Sequence, residues 1–233
     1  MVSISAWQSI IEGFDFTQLF ELLLGVIPAL ICITLHELSH GLVAYKLGDD
    51  TAKNAGRLTL NPIKHLDWMG FLMLVIARVG WAKPVPVNMN HFKNPKRGMA
   101  LTALAGPVSN FLITLLFLFL YGLVYPLLWG SAAGAYVSQL LLLTAYMSLG
   151  LGLFNLLPIP PLDGSKVLFS AVSDESYRKL MRYERYGIIL LIVLAYAGVT
   201  GRFLSTAIDA VFDLLWPVVG FGAKLAWRVL GMM

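Results

Sequence analysis

His36, Glu37 and His40 stand in the order H-E-x-x-H, within His36-Glu37-Leu38-Ser39-His40. Side chains four apart on a helix stack on one face, so the two imidazoles can grip one Zn²⁺ ion while Glu37 reaches the water bound to it. Zinc brings the pKa of such a water toward about 7, and the glutamate can take its proton as hydroxide attacks a peptide carbonyl. The bland alternative is three polar side chains packed against other helices by hydrogen bonds. The apolar run that contains them speaks against it, because an ionisable group inside a membrane span costs about 2.5 to 3.5 kcal/mol on insertion scales and needs a purpose.

Two histidines do not complete a tetrahedral site, and a catalytic zinc needs a third protein ligand that leaves one position open for water. Asp163 is the outstanding candidate. No Asp, Glu, Lys, Arg or His occurs between Arg97 and Asp163, and Asp163 follows Asn155-Leu156-Leu157-Pro158-Ile159-Pro160-Pro161, which breaks a helix. A broken helix in a membrane exposes backbone polar groups where water or substrate must be accommodated. The alternative for Asp163 is an ordinary N-cap of a helix beginning near Gly164; its pairing with the two histidines favours ligation.

The elements that must position these residues follow from composition. The 233 residues are 58% hydrophobic and 13% charged, with a mean hydropathy of +0.75, more apolar surface than a soluble domain of this length buries. The chain is expected to be an all-α polytopic helical membrane protein, a single transmembrane domain over 1–233 with a short re-entrant or β-like membrane-associated segment. Runs of about 20 apolar residues are needed to cross the bilayer, and spans are expected at about 19–45, 101–125, 136–157 and 186–201. The apolar run 203–222, interrupted by Asp209, Asp213 and Pro217, reads as a span or an interfacial helix, the latter favoured. Residues 68–90 read as re-entrant or interfacial: 68–77 is too short to cross, and Trp81-Ala82-Lys83-Pro84-Val85-Pro86-Val87 has the pattern of an edge strand.

Net charge is +4 and the pI is about 9.2, but the basic residues flank hydrophobic spans, so they report topology and not nucleic acid. The acidic start and the uncharged turn near Gly130 fall on one side, and the basic loops at 46–97 and 178–185 on the other. The basic side is expected to be cytoplasmic, the N-terminus outside, and the site toward the cytoplasmic face of a prokaryotic (inner) membrane. No cleaved signal is expected, since residues 1–16 lack a basic opening and carry Glu12 and Asp15. Cys32 lies one turn before His36; a fourth ligand there would close the site to water, so a packed thiol is favoured. His65 reads as a hydrogen-bonded interfacial residue, His91 as solvated, and Asp209 with Asp213 as facing the outer surface. The tryptophans, including Trp7, Trp68, Trp81, Trp129 and Trp216, suit interfacial belts.

The two ligand motifs and the stretches between them carry a resemblance. His36-Glu37-Leu38-Ser39-His40-Gly41 and Asn155-Leu156-Leu157-Pro158-Ile159-Pro160-Pro161-Leu162-Asp163-Gly164 resemble the site-2 protease family of intramembrane zinc metalloproteases, the second being similar to its N-x-x-P-x-x-x-x-D-G pattern. Asn61-Pro62 with His65, Asp67 and Gly70, the 80–87 segment, and Ala105-Gly106-Pro107 with Asn110 resemble one branch of it. The resemblance implies one catalytic Zn²⁺ held by His36, His40 and Asp163, Glu37 as the base, and Asn110 and Asn155 assisting the substrate or the transition state. The implied partners are the lipid bilayer and a membrane-anchored substrate that is itself a transmembrane helix, often shortened beforehand by another protease; no nucleic acid is implied. The substrate must unwind locally, and Lys83 to Val87 could hold it by strand addition; an interfacial loop without such a role fits the same residues. Relatives with a peptide-binding PDZ domain or a nucleotide-binding CBS domain exist, and a minimal form without either is expected, since the turn at 125–136 and the tail after Ala223 are too short for them. Oligomeric state is not legible. Two alternatives use the same motif: a prenyl-protein protease, which calls for a glutamate as third ligand where only Glu175 and Glu184 in a charged loop are available, and a non-proteolytic membrane metal-binding or transport protein.

Overall fold

The computed structural model describes residues 16–70, 72, 82–173, 175–177 and 184–231. The architecture is helical: α1 (Phe16–Lys46), a one-turn α2 (Thr51–Asn54), α3 (Pro95–Leu127), α4 (Ala132–Asn155), α5 (Asp163–Phe169), α6 (Glu184–Tyr196), α7 (Val199–Leu215) and α8 (Pro217–Val229). Among the described residues there is no strand, only an isolated antiparallel bridge between Leu66 and Ala82.

Local chemistry sets the helix ends. The Asn94 side chain accepts the N–H of Arg97 at 3.1 Å, and Pro95, which has no N–H to leave unpaired, opens α3. Ser131 caps α4 by accepting the Gly134 N–H at 3.0 Å. Pro158, Pro160 and Pro161 stop α4 soon after Asn155, because proline cannot donate to the next turn. Gly198, at φ +72°, turns the chain between α6 and α7.

α3 is the central helix and packs against α1, α4, α5 and α8. Its contact with α8 is backbone on backbone: a Cβ at Gly122 would run into the Val219 carbonyl, and one at Gly222 into the Phe119 carbonyl. Small residues permit this close approach where lipid supplies no hydrophobic drive for association. The α3–α4 seam is tied by hydroxyls, with Ser148 Oγ donating to the Asn110 carbonyl at 2.9 Å and Thr114 Oγ1 to the Ala145 carbonyl at 3.3 Å. Polar groups therefore line the interior (Thr34, Thr102, Thr114, Ser138, Thr144, Ser148), while Leu112, Leu116, Ile188, Ile189 and Ile192 stand exposed. That polarity suits a molecule whose outer solvent is hydrocarbon. The protein is an all-α polytopic membrane protein.

Among the described residues, four helical stretches are long and apolar enough to cross a membrane: Leu24–Lys46, Pro95–Leu127, Ala132–Asn155 and Val199–Val229. The first three overlap the runs at 19–45, 101–125 and 136–157. The last differs from expectation. Residues 186–201, read as a span, fold into the 13-residue α6 and then turn at Gly198, short of the roughly 20 residues a crossing takes. Residues 203–222, for which an interfacial helix is favoured, lie in the longer α7–α8 stretch. Most of the 68–81 run, the acidic start and most of the 174–185 loop lie outside the described residues.

Candidate metal centre

α1 delivers both imidazoles. His36 and His40, 4% and 8% exposed, lie four residues apart, and their Nε2 atoms are 3.0 Å from each other. The break after α4 returns the chain so that α5 begins with Asp163 against them, Oδ2 lying 3.2 Å from His36 Nε2 and 3.1 Å from His40 Nε2. Gly164 makes that return possible, since a Cβ there would collide with the Leu156 and Leu157 carbonyls that end α4. Leu162, not Asp163, holds the N-cap position of α5, and no side chain caps it. The carboxylate thus turns to the histidines and away from its own helix end.

A divalent ion fits this donor set. Ligands about 2.0 to 2.1 Å from a tetrahedral ion stand about 3.3 Å apart, close to the 3.0 to 3.2 Å edges of the triangle. Asp163 Oδ2 is buried without a hydrogen-bond partner, and burying an unpaired carboxylate oxygen is costly unless a cation or proton compensates it. The ring nitrogens on the far side are engaged. His40 Nδ1 lies 2.7 Å from the Thr102 carbonyl, which can only accept, so Nδ1 carries the proton and Nε2 keeps its lone pair. His36 Nδ1 lies 3.1 Å from the Asn110 amide. Gly106, one turn before Asn110 on α3, leaves room for the rings: a Cβ there would stand 2.5 Å from His36 Cε1 and from His40 Cε1 and Nε2.

Glu37 faces the neighbouring cleft, and its Oε2 accepts the Val85 N–H at 2.8 Å. The segment 82–88 is held along its length. Lys83 donates its N–H to the His65 carbonyl at 3.0 Å and accepts from Arg57 Nη2 at 2.6 Å, while the Asn88 N–H donates to Asp49 Oδ2 at 2.7 Å. The cleft has a volume of about 570 Å³, and Ile33, Pro84, Val87, Phe154, Asn155 and Lys166 line it together with His36, Glu37, His40 and Asp163.

The residues singled out in the sequence therefore separate. His36, His40 and Asp163 converge and Glu37 lies beside them. Asn155 lines the cleft, its Nδ2 donating to the Leu151 carbonyl at 3.0 Å, whereas Asn110 is fully buried and touches His36. Cys32 is buried and its thiol donates to the Thr144 carbonyl at 3.6 Å. His65 is buried with Nε2 2.9 Å from the Thr59 carbonyl, and Asp209 and Asp213 are exposed. His91 is half in solvent but pairs with the buried Asp49 at 2.9 Å. Thr102 acts through its backbone, which no sequence pattern announces, and Gly106 was legible only as part of a motif. Lys166, three residues after Asp163 and so on its face of α5, carried a spacing signal that reading the motif only as far as Gly164 passed over.

Fold and site together define a class: a helical membrane protein in which two histidines and an aspartate from distant segments meet beside a glutamate. A family model described as Peptidase family M50 matches residues 123–197. The chain is 40% identical over 199 residues to "Putative zinc metalloprotease YwhC" of Bacillus subtilis, covering 84% of this chain and 86% of that one. It is 30% identical over 188 residues to a similarly named protein, Rip2, of Mycolicibacterium smegmatis, covering 79% and 71%. No solved structure matches. The chain belongs to peptidase family M50, the site-2 protease family.

Proposed function

We propose that this protein is an intramembrane zinc metalloprotease that hydrolyses peptide bonds in or near the transmembrane helices of membrane-anchored substrates, as in regulated intramembrane proteolysis. The observation that carries the reading is the buried triangle of His36 Nε2, His40 Nε2 and Asp163 Oδ2, with edges of 3.0 to 3.2 Å, at the wall of a cleft that Glu37 also lines. These three residues hold one zinc ion, which supplies Lewis acidity that polarises a carbonyl and acidifies water. Glu37 takes the proton from the attacking water and returns it to the departing amine, and the Val85 N–H fixes one of its oxygens for that exchange. Asn155 faces the scissile segment, while Asn110 orients His36 from behind.

The held segment limits how a substrate docks. Lys83 and Val85 already use their N–H groups, and Pro84 and Pro86 have none. If a substrate strand adds along 83–86, its own N–H groups donate and the protein accepts. The site lies six to ten residues before Lys46, roughly 10 to 15 Å below the surface that Lys46 marks. The basic loops assign that surface to the cytoplasm, and bacterial relatives support a prokaryotic cell membrane.

Cleavage of a model transmembrane substrate by the purified, reconstituted chain tests the reading. Glu37→Gln is expected to keep zinc at wild-type stoichiometry and to lose cleavage by about 10² to 10⁴-fold, the usual worth of a positioned base. A Glu37→Gln variant that still cleaves overturns the assignment of the base. Zinc translocation that survives the change, without proteolysis in the wild type, establishes the transport alternative.

A further inference from the structure

The two oxygens of Asp163 face different partners. Oδ2 lies 3.2 and 3.1 Å from the two Nε2 atoms, and Oδ1 lies 3.7 Å from Lys166 Nζ. That separation makes an ion pair and not a hydrogen bond. Lys166 is on the next turn of α5, lines the cleft, and is the one lysine or arginine among the described residues that do. Its side chain is 28% exposed and that of Asp163 10%, so the attraction is screened less than between surface charges.

The geometry points to Lys166 as a positioning residue that holds Oδ1 of Asp163 off the metal, so that the carboxylate binds through Oδ2 alone. A carboxylate can bind an ion through one oxygen or two. Binding through both would occupy the position that a hydrolytic zinc keeps for water. Among the described residues that line the cleft, no other lysine or arginine opposes that swing. The pairing also withdraws charge from the ligand, which leaves the ion a stronger acid. The inference rests on the metal-binding role proposed above for His36, His40 and Asp163. Within that role it assigns how one ligand binds and which residue enforces it.

The test uses the full chain in detergent with Co²⁺ in place of zinc, because four-coordinate Co²⁺ absorbs visible light several-fold more strongly than five- or six-coordinate Co²⁺. Wild type is expected to take one Co²⁺ per chain and show the intense band. Lys166→Met and Lys166→Gln are expected to bind with a raised affinity, since a competing cation is gone and a second oxygen can reach the ion, and with the band reduced to half or less. Lys166→Arg restores both. A helix merely weakened by the change would not alter band intensity per bound ion, and Lys166→Gln serves if Lys166→Met does not fold. Wild-type intensity in Lys166→Gln, or loss in Lys166→Arg equal to that in Lys166→Gln, overturns the assignment of Lys166 alone. Wild-type protein that binds no stoichiometric Co²⁺, or binds it equally after Asp163→Ala, overturns the metal site itself.

Discussion

Two clusters among the described residues bring histidine and aspartate within ligating reach of one another: His36, His40 and Asp163 inside the helices, and Asp49, Asp50 and His91 at their edge. Composition does not tell them apart. Satisfaction does. Asp49 is fully buried, yet every direction around its carboxylate is used: Oδ1 takes the Thr51 N–H at 3.1 Å, the Thr51 hydroxyl at 2.5 Å and His91 Nδ1 at 2.9 Å, and Oδ2 takes the Asn88 N–H. Asp163 Oδ2, by contrast, has only two imidazole nitrogens for neighbours and no hydrogen-bond partner. A carboxylate surrounded by donors is a structural fastener. One that meets only two imidazole nitrogens, themselves potential ligands, suits a cation. In this protein the fastener ties the end of α1 to the segment whose Val85 holds Glu37.

The largest expected effect separates the clusters by metal content. His36→Ala, His40→Ala and Asp163→Ala should each lower zinc affinity by more than about 100-fold, beyond what outer partners of ligands contribute, as read by metal analysis of the purified chain. His91→Ala and Asp50→Asn should leave one zinc per chain. If either reduces the metal content, the second cluster is also a metal site and the distinction by hydrogen bonding fails.

A smaller effect sharpens the same distinction with glycines of one helix. Gly106→Ala drives a methyl into both imidazoles and should weaken zinc binding about tenfold or more. Gly122→Ala on the same helix meets the Val219 backbone of α8 and should cost about 1 to 3 kcal/mol of stability by overpacking, with the zinc content unchanged. Thermal unfolding and zinc titration of the two variants should therefore move in opposite order.

These contrasts mark what the sequence could and could not disclose. The spacing of His36 and His40 discloses itself because a helix has a fixed period, and Asp163 stands out by charge alone after a neutral stretch. The end of α4 was legible because proline breaks helices in any context. The roles of Asp49 and His91 were not legible, because whether a loop carboxylate is buried depends on which remote backbone N–H groups reach it, here that of Asn88. The division of residues 184–229 into α6, α7 and α8 is not legible, because hydrophobicity marks how apolar a run is, and not where a left-handed glycine such as Gly198 ends it. Family resemblance implies that Asn110 assists the substrate or the transition state, while its burial against His36 is a fact of packing that only the fold supplies.

The smallest expected effect concerns acid and can break the comparison outright. Burial pushes the Asp49 carboxyl up, but the hydrogen bonds from the Thr51 hydroxyl, the Asn88 N–H, His91 and the Thr51 N–H outweigh it and hold the group below its ordinary value of 3.8. A carboxylate depressed in the folded state stabilises the fold above its unfolded value, and that contribution is lost as pH falls through the folded value. Asp49→Asn offers one accepting oxygen where two are used, so at pH 7 it should unfold below wild type by about 2 to 4 °C for each kcal/mol lost, and this gap should close as the buffer is taken from about pH 5 toward pH 2. Acid also strips metal from histidine and carboxylate ligands by competing for their lone pairs, so the scan is repeated with excess zinc. Zinc should raise the unfolding temperature of wild type and Asp49→Asn equally, leaving the gap between them as it was. A gap that widens with zinc would mean that Asp49 itself holds an ion, and that full hydrogen bonding does not distinguish a fastener from a ligand in this fold.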